Sequence, residues 1–99
     1  MATDRDAILE QLASHRETLR RLGVKRLGLF GSALREDGPA PRDLDFLVEL
    51  EPKTFGAYMD VKAFLEDLFE RPVDLVLADA LKPALRDGIL EETVYAPGL

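Results

Sequence analysis

Between Asp43 and Leu50 the side chains alternate, with Leu44, Phe46, Val48 and Leu50 on one face and Asp43, Asp45, Leu47 and Glu49 on the other. A period of two predicts a β-strand, and its apolar face must be buried against other elements. Two segments carry the helical period that could supply that cover. From Asp4 to Leu22, Ile8, Leu12, Leu19 and Leu22 recur at helical spacing behind a capping box at Thr3-x-x-Asp6, and Gly23 is a stop signal. From Gly56 to Arg71, Tyr58, Val61, Leu65 and Leu68 do the same, with Phe64 and Phe69 beside them.

Two more short apolar runs read as strands, Val24 to Phe30 and Val73 to Leu77. Ser32 to Arg35 has room for one helical turn, and Glu36 to Pro41 is a loop on its prolines and glycine. Pro83 fits the first turn of a last short helix, about Leu81 to Asp87, while Ile89 to Tyr95 reads equally as a helical turn or an edge strand. The order α-β-β-α-β-α predicts an α/β (α+β) fold, a small mixed sheet with helices packed on one side. With 99 residues and no repeat or linker, residues 1–99 form one domain.

Composition narrows the chemistry. There is no cysteine, which removes disulfides, thiolate metal sites and cysteine nucleophiles. The start is polar and acidic, no apolar run approaches a membrane span, and the expected location is the cytoplasm. A net charge of −6 argues against a partner held mainly through nucleic acid phosphates. An anionic nucleotide is still acceptable where metal ions bring their own positive charge.

The informative constellation is Gly31-Ser32, ten residues, then Asp43-Leu44-Asp45. Asp43 and Asp45 share a face of the predicted strand, about 7 Å apart at the backbone, an unfavourable placement for two like charges unless something positive lies between them. A divalent cation with oxygen ligands answers that need, and Mg²⁺ suits a few carboxylates plus substrate phosphates. Asp74 is a third carboxylate on a strand. If that strand neighbours the first, three aspartates converge, enough to hold two ions roughly 3.5–4 Å apart for an in-line phosphoryl displacement. Gly31 at a strand-to-helix turn lets backbone N–H groups approach phosphate oxygens, and Ser32 adds a hydroxyl donor. Arg35 is placed to reach a phosphate, and Arg42 a phosphate or a carboxylate. Singly, each has a plainer reading: a turn, a solvated Asp-x-Asp, a capping or Arg71-paired Asp74, two exposed arginines. His15 lies on or beside the first helix's apolar stripe, where a structural role is preferred to a catalytic one.

The combination resembles the nucleotidyltransferase superfamily related to DNA polymerase β, and more narrowly the minimal nucleotidyltransferase (MNT) proteins of prokaryotes. It extends over nearly the whole chain through Leu-Phe-Gly-Ser at 29–32, Arg-Asp-Leu-Asp-Phe-Leu-Val-Glu at 42–49, Val-Asp-Leu-Val at 73–76 and Leu-Lys-Pro-x-Leu-Arg at 81–86. The resemblance implies that Gly31 and Ser32 bind the triphosphate of ATP, that Asp43 and Asp45 hold the metals, and that Asp74 assists them and deprotonates the acceptor hydroxyl. It also implies an antitoxin, paired in a hetero-oligomer with a HEPN-domain toxin whose tyrosine receives AMP. Two positions depart from the pattern: Ala33 follows the serine where the family often has Arg or another polar residue, and Arg42 precedes the first aspartate where Ser is common. Two other functions compete, an antitoxin that neutralises by binding alone and a nucleotidyltransferase acting on a small molecule. Tyr58 and Tyr95 are candidate self-modification sites, with packing the preferred role.

Overall fold

A computed structural model describes residues 5–31 and 43–99. The elements follow in the order α1 (Arg5–Ser14), α2 (Arg16–Arg21), β1 (Val24–Phe30), β2 (Leu44–Leu50), α3 (Phe55–Phe69), β3 (Val73–Leu77), a 3₁₀ turn (Ala78–Ala80), α4 (Pro83–Glu92) and β4 (Val94–Tyr95). The strands form one mixed sheet in the order β3-β2-β1-β4, with β2 antiparallel to β1 and parallel to β3. Among the described residues, no helix is long and apolar enough to cross a membrane.

Cross-strand register sorts the side chains onto the two faces. Leu29 pairs with Phe46 and Leu27 with Val48 across β1–β2, while Val73 pairs with Leu44 and Leu75 with Phe46 across β2–β3. All of them are buried, and they form a single cluster with Ile8 and Leu12 of α1, Leu19 of α2 and Val61 and Leu65 of α3. The apolar face of the period-two segment is therefore the helix-covered face, as its pattern predicts. Asp45, Leu47, Asp74 and Val76 alternate with those residues and project from the opposite face. Leu47 is nonetheless only 1% exposed, between Gly28 and Val76 in register. That face is thus closed at its middle and opens toward Asp45, which is half-buried, and Asp74, which is exposed.

Several boundaries differ from the sequence expectation. The first helix is broken at His15, whose backbone leaves helical geometry (φ −107°, ψ 19°), so the expected continuous segment becomes α1 and α2. The His15 Nδ1–H donates to the Gln11 carbonyl at 2.9 Å, and the ring meets Phe64 edge-on at 5.7 Å. This places His15 in packing, away from the aspartates. Gly23 ends α2 with φ +102°. β2 begins at Leu44, whose N–H bonds the Pro72 carbonyl, so Asp43 precedes the ladder rather than belonging to it. α3 is capped by Thr54, which accepts from the Ala57 N–H, and it stops at a left-handed Glu70. α4 extends to Glu92, and the ambiguous 89–95 segment divides into its last turn and the edge strand β4. Thr3 of the expected capping box and the expected turn at 32–35 lie outside the described residues.

The free edge of β3 is closed by α3. Pairing with β2 leaves the N–H of Val73 and the carbonyl of Leu75 pointing outward, and unpaired edge groups invite misassociation. Glu66 Oε2 accepts from the Val73 N–H at 3.0 Å, and the Tyr58 hydroxyl donates to the Leu75 carbonyl at 2.6 Å. Both side chains serve the fold. Tyr95, on the opposite edge, lies under the Arg26 guanidinium at 4.0 Å.

Candidate active site

The parallel register of β2 and β3 sets Asp45 directly beside Asp74. Both residues point from the open face, side by side. Burial pushes the Asp45 carboxyl above its ordinary value of 3.8, and the charge of Asp74 and a side-chain hydrogen bond with it push the same way. Asp43 and then Glu92 add smaller repulsions. Two neighbouring carboxylates repel one another less when a proton or a cation lies between them. Among the described residues, the charged groups named as acting on Asp45 are all carboxylates.

Gly31 stands over this pair. It follows the last residue of β1, Phe30, which is the register partner of Asp45. Its φ is +80°, a conformation that glycine adopts without steric cost. A Cβ built there would collide with the Asp45 carboxylate, lying 3.1 Å from its Cγ. The glycine is needed twice, for the turn and for the close approach. Its N–H is directed to Glu92 Oε1 at 2.9 Å, a contact across 61 residues.

Of the residues singled out in the sequence, Gly31, Asp45 and Asp74 come together. Asp43 sits exposed just before β2, close enough to act on Asp45 through charge. Ser32, Arg35 and Arg42 lie outside the described residues. Among the described residues, no group of three or more His, Cys, Asp or Glu side chains is gathered in a form that could hold a metal ion. What the strands assemble is a pair with a third carboxylate nearby. Glu92 is the residue that sequence reasoning missed, since no local pattern relates the end of α4 to the end of β1. Lys62, which pairs with Glu66 at 2.9 Å on α3, has Asp74 among the charges acting on it.

The donor set suits a hard divalent cation. Asp45 and Asp74, side by side, offer hard carboxylate oxygens, the kind of ligand that suits Mg²⁺ completed by substrate phosphates.

Comparison with known proteins gives a consistent set. A family model described as a nucleotidyltransferase domain matches residues 12–96. The protein adenylyltransferase MntA of Thermococcus cleftensis is 35% identical over 86 residues, which is 85% of this chain and 87% of that protein. A solved structure described as a minimal nucleotidyltransferase superposes with a TM-score of 0.71 at 34% identity, over 94% of this chain and 96% of the other. A chain in the structure of the tri-AMPylated Shewanella oneidensis HEPN toxin in complex with MNT antitoxin shares the fold at 18% identity. Its TM-score is 0.63, over 92% of this chain and 73% of that one.

Proposed function

The chain belongs to the nucleotidyltransferase domain family, and on that premise we propose that it transfers AMP from ATP to a tyrosine hydroxyl of a HEPN-family toxin, acting as the antitoxin in a hetero-oligomer. The observation that carries this reading is the Asp45–Asp74 pair beneath the Gly31 turn. The adenylyltransferase relative and the AMPylated toxin complex support AMP as the transferred group and a HEPN toxin as the partner that receives it.

In this reading Asp45, Asp74 and Asp43 hold Mg²⁺, two ions in the full arrangement, and the bound metal supplies charge neutralisation on the phosphates and at the reacting oxygens. Gly31, with Ser32, Arg35 and Arg42, holds the triphosphate of ATP through backbone and side-chain donors. Asp74, the exposed member of the pair, faces the acceptor and takes the proton from its hydroxyl. The acceptor oxygen then bonds to the α-phosphorus as the bond from that phosphorus to the β-bridging oxygen breaks, and pyrophosphate leaves. Asp45, the more buried of the two, would hold the metal beside the transferred group. Catalysis of this kind is mostly positioning and charge compensation, which a small domain can supply.

The test is intact mass spectrometry of the HEPN partner after incubation with the chain, ATP and Mg²⁺, alongside Asp43→Asn. Mass additions in whole AMP units that vanish in the variant are expected. A partner that is neutralised in a stable complex yet gains no mass would replace this reading with an antitoxin acting by binding alone.

A further inference from the structure

The hydrogen bond between Gly31 and Glu92 lies outside both the β1–β2 ladder and the core cluster. The β1–β2 ladder ends at Phe30 and Asp45, so the Gly31 N–H lies beyond the sheet. Glu92 is exposed and is the last residue of α4, a helix with no buried side chain. A carboxylate at a helix C-terminus is disfavoured by the dipole there, and this one also adds to the negative charge around Asp45. The contact that compensates it is the N–H of Gly31, a residue with φ +80°.

We infer that Glu92 is an internal stand-in for a nucleotide phosphate, occupying the Gly31 N–H until substrate displaces it. This rests on the nucleotidyltransferase reading and adds a specificity-determining residue to that same site. Carboxylate and phosphate oxygens compete for one donor, and both cannot remain, since that would bring like charges into contact. Release needs only a rotation of the Glu92 side chain, which is exposed and stands at the end of a helix with no buried side chain. Glu92 thus raises the nucleotide concentration needed to fill the site.

The test is calorimetric titration of the full chain and of Glu92→Ala, Glu92→Gln and Glu91→Ala with ATP and Mg²⁺, and separately with adenosine. The net value of one hydrogen bond predicts that Glu92→Ala tightens ATP binding about threefold to tenfold. Glu92→Gln falls between, as a neutral acceptor, and Glu91→Ala, which removes a neighbouring exposed charge, changes little. Adenosine, which has no phosphate, binds all four forms alike. In the wild type, saturating ATP shifts the Gly31 amide resonance and releases the Glu92 side-chain carboxyl resonance. Weaker binding by Glu92→Ala would overturn the inference and make Glu92 a ligand of the site. Unchanged binding, or a Glu92 resonance indifferent to ATP, would overturn it as well. ATP binding by none of the forms would sink the nucleotidyltransferase reading itself, whereas normal wild-type binding with no variant effect would sink the inference alone.

Discussion

Two carboxylates flank β3, and their surroundings are opposite. Glu66, on the outer edge, accepts from Lys62 and from the Val73 N–H, and those bonds hold it below its ordinary value of 4.5. Asp45, on the inner side, is pushed above its ordinary value by burial and by three other carboxylates. Every partner of Glu66 favours its charge, and every neighbour named for Asp45 opposes it. A carboxylate that the fold satisfies serves the fold. One whose described neighbours all oppose its charge is a candidate for binding something that arrives later, since strongly perturbed carboxylates cluster at functional sites.

The largest expected effect separates these roles by substitution. Asp45→Asn should lower AMP transfer by roughly 100-fold or more, since loss of even an outer partner of a metal site reaches that range. Its stability should move the other way. The folded value of Asp45 lies above 3.8, so folding takes up a proton between the two values and the penalty on the charged form is complete only above the folded one. The variant is therefore expected to melt higher than wild type at pH 7 and to lose that advantage as the pH falls toward 3.8. A lower melting point at pH 7 would show that Asp45 is structural, and the contrast with Glu66 would collapse.

How much of this was legible in the sequence follows from the range of each interaction. β2, its covered face and the placement of Asp45 depend on period two and could be read directly. That Asp74 stands beside Asp45 needed β3 to neighbour β2, which the sequence left as a condition and the parallel register supplies. The break at His15 was hidden because the apolar period runs on through it, and the side chain's bond to the Gln11 carbonyl belongs to the folded turn. Leu47 was read onto the polar face, where burial of the sheet's middle was not visible. The roles of Tyr58, Glu66 and Glu92 depend on contacts 17, 7 and 61 residues away, which no local pattern encodes.

Gly31→Ala sharpens the comparison from the backbone. The left-handed conformation costs a residue with a Cβ about 1–2 kcal/mol, and the new carbon must also displace the Asp45 carboxylate. Chemical denaturation should show a loss of at least that size, with AMP transfer falling further than stability predicts because the acidic pair is moved. A smaller change is expected at the satisfied edge. Tyr58→Phe leaves the Leu75 carbonyl without its donor and should cost about 0.5–1.5 kcal/mol with transfer unchanged. Loss of activity in a stably folded Tyr58→Phe would mean that the edge and the site are coupled through β3.

The smallest effect is also the most direct reading of the opposition between the two carboxylates. Glu66 has a folded value below 4.5, so its contribution to stability is full above 4.5 and disappears as the pH falls through the folded value. Glu66→Gln is thus expected to melt slightly lower than wild type at pH 7, with transfer intact, and to converge with it in acid. Asp45→Asn approaches wild type in acid from the other side. Melting curves for the three proteins from pH 7 down to 3.5 should therefore close like a fan, the Asp45 variant from above and the Glu66 variant from below. If both variants lie on the same side of wild type at pH 7, one of the two carboxylates has been assigned the wrong sign. The activity ratio of the pair then decides which, because only the residue that meets the nucleotide should affect both stability and transfer.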